Sequence, residues 1–193
     1  MKNSSFRPTV ALGVLCLLAA ICSTAAATDA DKGEHAISFA DGKLKLVAPD
    51  SWKRTKPQNN VIEHEFAIPA AEGDARDGRL TVSTAAGGVE PNVQRWIGQF
   101  IQPDGSDTKN RAKTKKLAAA GEDIFLVDLS GTFKDQAGPF APAVERPKYR
   151  LLGAIISTKK LGTHFVKFYG PEKTIADNEK GFMKMIEGLE EKK

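Results

Sequence analysis

Cysteine is nearly absent from this chain: two in 193 residues, Cys16 and Cys22, both within the first 27 positions. A domain starting after them has no disulfide, no thiolate metal site and no cysteine nucleophile. Aromatic residues are 7% of the chain, and the longest apolar run falls short of the roughly 20 residues that a membrane-spanning helix needs. Motifs of catalysis are missing too. No Gly-x-Ser-x-Gly elbow, no Gly-x-x-x-x-Gly-Lys phosphate loop and no His-Glu-x-x-His pair occurs. The three histidines have no metal-ligand spacing. No cofactor is expected.

What is present is a globular composition, 41% hydrophobic and 27% charged. Lys2 and Arg7 precede 13 apolar or small residues from Val10 to Cys22, and Ala25-Ala26-Ala27 follows as a small-residue cleavage site. That three-part pattern is an export signal. Residues 1–27 are expected to be removed, 28–36 to form a loose lead-in, and 37–190 to form a single domain, periplasmic or extracellular and without a membrane span. Leu15 and Ile21 precede the cysteines where a lipoprotein signal has a small residue. Without Lys2 and Arg7, the 28 basic residues become 26 against 24 acidic ones, a net of +2. Such near-neutrality argues against a nucleic-acid partner.

Strands dominate the pattern. Ile37–Phe39 and Leu44–Val47 flank Asp41-Gly42, a hairpin signal. In the strand Val61–Ile68, Ile62, His64, Phe66 and Ile68 alternate with Glu63 and Glu65, which places the glutamates on a polar face. Leu80–Ser83 is a further strand. Pro91 sits at a helix start, and Val93, Trp96, Ile97 and Phe100 follow at helical spacing until Pro103-Asp104-Gly105. Residues 111–117 read as an exposed basic strand. Ile124–Val127 and Leu151–Ile156 are apolar on both faces, as in strands covered on both sides. Gln136 to Pro147 reads as a long loop and Phe165–Tyr169 as a strand. A terminal helix is expected over Glu172–Glu191, with Ile175, Phe182, Ile186 and Leu189 inward and either a kink or a late start because of Gly181. Neighbouring strands without crossover helices imply an α+β domain with a mainly antiparallel sheet, one mid-chain helix and one C-terminal helix.

Glu72-Gly73-Asp74, Gly78-Arg79-Leu80-Thr81-Val82, Gly87-Gly88 and the run Asn92 to Phe100 resemble a block in exported bacterial proteins of the PsbP-like fold group. That group includes the extrinsic PsbP subunit of photosystem II and a Ran-binding nuclear import factor. The specific part of the resemblance spans residues 73–100, and the order of elements extends it over most of 37–190. It implies an α/β/α sandwich around an antiparallel sheet, and binding or assembly roles rather than one activity.

Three groups of residues invite a functional reading. Glu72, Asp74 and Asp77 share one loop and could hold a hard cation, or form a solvated turn interrupted by Arg76 and Arg79. Arg111, Lys113 and Lys115 share a strand face that either guards an edge or meets an anionic partner. Arg95 and Gln99 lie four apart on the outer side of the mid-chain helix and face a partner or solvent. His64 is read as a hydrogen-bonded core histidine, Trp96 as core, and Asp128 as a charge that needs a partner inside an apolar strand. The leading expectation is an exported binding or assembly-accessory protein without catalysis, its partner an unidentified protein or anionic surface. The alternative is a small-molecule hydrolase, or another enzyme, with a pocket between sheet and loops.

Overall fold

The computed structural model describes Met1, Gly33, residues 35–136, Gly138 and residues 141–192. The expected export signal therefore lies outside the described residues apart from Met1, and the expected lead-in apart from Gly33, His35 and Ala36.

Strands β1 (Ala36–Phe39) and β2 (Leu44–Val47) form the opening hairpin, with Phe39 opposite Leu44. The connection is not the expected two-residue Asp-Gly turn but four residues, 40–43. Ala40, Asp41 and Gly42 all take positive φ (54°, 54° and 76°), and the Lys43 amide closes the loop on the Ala40 carbonyl at 3.1 Å. This register turns Ile37, Phe39, Leu44 and Leu46 inward, and all four are buried.

The larger sheet holds β3 (Lys53–Thr55), β4 (Ile62–Ile68), β5 (Gly78–Thr84), β6 (Phe100–Ile101), β7 (Lys113–Ala119), β8 (Glu122–Asp135), β9 (Val144–Ser157) and β10 (Thr163–Pro171). Its order is β3-β4-β5-β10-β9-β8-β6, with β7 also on β8, and its pairings are antiparallel. Helix α1 (Val89–Ile97) lies on one face. Helix α2 (Glu172–Glu187) and the opening hairpin cover the other. The α+β domain with an antiparallel sheet expected from the strand pattern is the observed architecture, and its helices on the two sheet faces match the sandwich that the resemblance implies.

The two-sided strands explain the two cores. Ile124, Leu126, Ala154 and Ile156 face α2 and the hairpin, whereas Val127, Leu129, Leu151 and Ile155 face α1. The long loop expected over 136–147 is shorter, because β9 begins at Val144. The ladder shifts between Gly131 and Phe133, and Lys148 takes a φ of 56°. Such a bulge lets Pro147 sit inside a strand that would otherwise need its missing N–H.

Both helices differ from expectation at their ends. Helix α1 begins two residues before Pro91, which falls in the first turn where no intrahelical N–H bond is lost. It stops at Gly98, so Phe100 reaches the core from β6. Trp96 packs against Gly153, where an added Cβ would come within 2.2 Å of the indole. Helix α2 ends at Gly188. Leu189 is buried from beyond the helix, and β11 (Glu190–Glu191) pairs with β2. The helix also runs unbroken through Gly181, where a Cβ would meet Pro49 Cγ at 3.1 Å. That glycine serves a close approach rather than a kink.

Candidate functional site

Nine residues give α1 a length of about 13 Å, whereas the 14-residue strands β8 and β9 each extend over about 46 Å. One short helix leaves part of the sheet face open. There the two-residue alternation of β4, β5 and β10 brings together Glu65, Arg79, Thr81, Lys167 and Tyr169. Glu65 lies opposite Thr81, Thr81 opposite Lys167, and Arg79 opposite Tyr169. The result is an open depression of about 970 Å³. Residues of the β3–β4 and β4–β5 connections form one side. Phe133, Lys134 and Asp135 of β8 and Tyr149 of β9 form the other, and Gln99 closes the end below α1.

Arg79 grips both Glu65 oxygens, Nε to Oε1 at 2.8 Å and Nη2 to Oε2 at 2.9 Å, and its Nη1 donates to the Tyr169 hydroxyl at 2.6 Å. Burial opposes its charge, but the bonds to Glu65 and the proximity of Tyr169 outweigh this and raise its pKa. Glu65 is buried, so the expected polar face of β4 is here the floor of a depression. Burial also pushes up the Tyr149 and Tyr169 hydroxyls.

Lys167 is half-buried. Its ammonium donates to Gln99 Oε1 at 2.6 Å and lies 4.5 Å from the Tyr169 ring centroid and 5.2 Å from that of Phe133. Burial, reinforced by Arg95 and Arg79 and opposed by Asp135, pushes its pKa down to about 7.

The acids of this surface are already engaged. Glu65 holds Arg79, and Asp135 pairs with Arg146 at 3.3 Å. Asp74 Oδ2 accepts from the Thr174 amide (2.9 Å) and hydroxyl (2.6 Å) at the start of α2, which has no side-chain cap of its own at Pro171. Asp77 accepts from the Ala70 amide at 3.0 Å. Among the described residues, no ion pair involves Lys56, Arg76, Lys134 or Lys167. The lining of the depression sets Lys56, Arg76, Arg79, Lys134 and Lys167 against Glu65, Asp74, Asp77 and Asp135, a slight positive excess, with the bonds to Asp74 and Asp77 leaving their charge in place.

The residues singled out from sequence are dispersed. Of Glu72, Asp74 and Asp77, the first is exposed and the other two are committed to helix start and local backbone. Among the described residues, no group of three His, Asp or Glu side chains is arranged to hold a metal. Lys113 and Lys115 are exposed on β7, away from the depression. Arg95 is exposed on α1, while Gln99 lies beyond the end of that helix and holds Lys167. His64 is half-buried, accepting from Arg54 at Nδ1 (2.9 Å) and donating from Nε2 to the Ser38 carbonyl (2.8 Å). His164 Nε2 donates to the Leu161 carbonyl at 2.9 Å. Asp128 finds an arginine: Arg150 holds both its oxygens at 2.9 Å and reaches Glu179 of α2 at 2.8 Å. Lys167 and the Arg79–Glu65 pair escaped the sequence reading. The available signal was Lys167 in register with Phe165 and Tyr169, a charge on an aromatic face.

No known family's sequence profile matches the chain, and no curated protein matches it. Similar solved structures include PsbP of Synechocystis sp. PCC 6803, at 8% identity and a TM-score of 0.49, covering 81% of this chain and 91% of that one. Another is PA94 of Pseudomonas aeruginosa, a protein of unknown function, at 14% identity and 0.47, covering 82% and 96%. A third is LpqN of Mycobacterium tuberculosis, involved in cell envelope biogenesis, at 8% identity and 0.47, covering 80% and 88%. PsbP is the protein after which the fold group named from residues 73–100 is called. The likeness is one of fold and carries nothing about the site.

Proposed function

We propose that this chain is an exported accessory protein that acts by binding, and that it engages its partner or ligand through the depression beside α1. One observation carries the reading: a concave surface whose acids are all engaged keeps Lys56, Arg76, Lys134 and Lys167 without ion pairs. Unpaired charge gathered in a concavity attracts an oppositely charged partner and raises its local concentration. The residues lining the depression include no histidine and no cysteine, so no imidazole stands beside a nucleophile there. Export rests on the pattern of residues 1–27.

Affinity capture from the envelope of the source cell, with the wild-type protein and an Arg76→Glu, Lys134→Glu variant in parallel, tests both parts. The expected result is a retained molecule, identified by mass spectrometry, that the variant loses, together with an exported chain beginning near Thr28. Equal capture by both proteins moves the interface elsewhere. A chain recovered from the cytoplasm with Met1 intact refutes export. The depression also favours a second reading, a small-molecule enzyme using the Lys167 amine. Turnover of chromogenic ester or glycoside substrates, abolished by Lys167→Met, would replace binding with catalysis.

A further inference from the structure

Resting on the binding reading above, and adding the chemistry of what is bound, we infer that the depression takes the oxyanion of a small polar ligand, a carboxylate or a phosphate, with Lys167 as its charge partner.

A charged group removed from water is ordinarily paired. Among the described residues, Lys167 has an amide oxygen and two aromatic faces but no carboxylate in contact. Its neighbour Arg79 spends three of its five N–H donors on Glu65 and Tyr169 and has its charge matched by Glu65, which makes it a weaker receptor than Lys167. Lys167 is left as the inner cation that still lacks an anion. Arg76 and Lys134 line the same depression without ion pairs and add to its positive field. The space of about 970 Å³ far exceeds one oxyanion and falls within the range of small-molecule sites. The remainder of the ligand would lie against Tyr149, Tyr169 and the amides of Gln58 and Asn59.

An anion seated on Lys167 favours its protonated form, so binding takes up a proton above neutral pH. Every charged neighbour bears on this titration. Arg95 and Arg79 disfavour the ammonium and Asp135 favours it, while the Glu65 charge is held by Arg79 and the Tyr169 hydroxyl lies on the same pair. Affinity should therefore fall as pH rises from 6 to 9.

The test is an amide-detected NMR titration of the purified protein with sodium phosphate and, separately, sodium acetate and sodium citrate, at constant ionic strength set with chloride. Saturable shifts at Gln99, Lys167 and Tyr169 are expected, with at least tenfold weaker binding in Lys167→Met and binding within about threefold in Lys167→Arg. Affinity should drop at least fivefold between pH 6 and 9. Saturation by phosphate alone or by carboxylates alone identifies the source of the oxyanion. Non-saturating shifts confined to Arg76 and Lys134, shifts centred on Lys113 and Lys115, or binding unchanged in Lys167→Met overturn the inference. If Lys167→Met fails to fold, the side-chain pKa of Lys167 in the wild-type protein decides, and no rise with bound anion overturns it. Capture of a partner that depends on the rim, with no anion binding, removes this inference and leaves the binding reading standing.

Discussion

Replacing Lys167 by methionine should stabilise the protein at pH 6, and the gain should shrink as pH rises. Burial, Arg95 and Arg79 push this lysine from 10.5 down to about 7. Between those two values the unfolded chain holds a proton that the folded one releases, so folding grows more favourable with rising pH, and below about pH 7 the full penalty remains. At about 1.4 kcal/mol per pH unit, that drop sets a ceiling near 5 kcal/mol. Lys167 is half-buried, and residual water contact reduces the penalty to about 2–3 kcal/mol. Methionine keeps the length of the side chain and makes favourable sulfur contacts with the Tyr169 and Phe133 rings. Gln99 loses a donor but is itself only half-buried and can turn to water. Urea melts of both proteins at pH 6, 7.5 and 9 check this. Groups common to both cancel in the difference, which should fall by about a third from pH 6 to pH 9. A methionine variant less stable than wild type at pH 6, or a difference that stays flat with pH, would show that Lys167 is already satisfied as a cation. The argument for an incoming anion would then fail.

Other substitutions probe the scaffold around the depression. Trp96→Ala should cost about 3–5 kcal/mol in urea melts, the range for emptying a buried aromatic site, since Trp96 is 2% exposed. Gly153→Ala should cost about 1–3 kcal/mol and red-shift the tryptophan fluorescence, because its methyl would enter the Trp96 ring and displace the buried indole. Asp74→Ala should lower stability by about 1 kcal/mol through loss of the side-chain acceptor at the Thr174 amide, measured by chemical denaturation. A chelator should leave the melting temperature unchanged, and calorimetry should show no submicromolar calcium or zinc binding, since Asp74 and Asp77 are spent on the Thr174 and Ala70 amides.

The layers of the fold could be read from the chain because each strand carries its own burial in its alternation. Ile124–Val127 and Leu151–Ile156 are apolar on both sides, and the structure covers both sides. Element ends were harder to read where a residue changed element without leaving the core. Phe100 and Leu189 keep the spacing of a helical stripe, yet each enters the core from beyond its helix, so periodicity alone could not separate the two cases.

The depression was not legible for a different reason. Alternation states which face Lys167 shares with Phe165 and Tyr169, but not what covers that face at each point. Cover here depends on where α1 stops and on which strands flank β10. Those neighbours come from far along the chain: Gln99 is 68 residues from Lys167, and Arg79 is 90 from Tyr169. Phe165 packs edge-on against the Trp96 ring, whereas Lys167, two residues on, is reached from the α1 side by the Gln99 side chain just past the end of that helix. The same strand face therefore passes from core to site within two residues. Lengthening α1 by one turn past Gly98, with Gly98→Ala as a first step, carries this to a test. A Cβ at Gly98 approaches the Gln94 and Arg95 carbonyls at 3.4 and 3.6 Å, ordinary contacts for a helix that continues. Such a variant should move Gln99 off Lys167, raise the exposure of the ammonium and return its pKa toward 10.5 in NMR titration. An unchanged pKa would show that the field of Arg79 and Arg95, rather than the cover supplied by Gln99, governs the lysine.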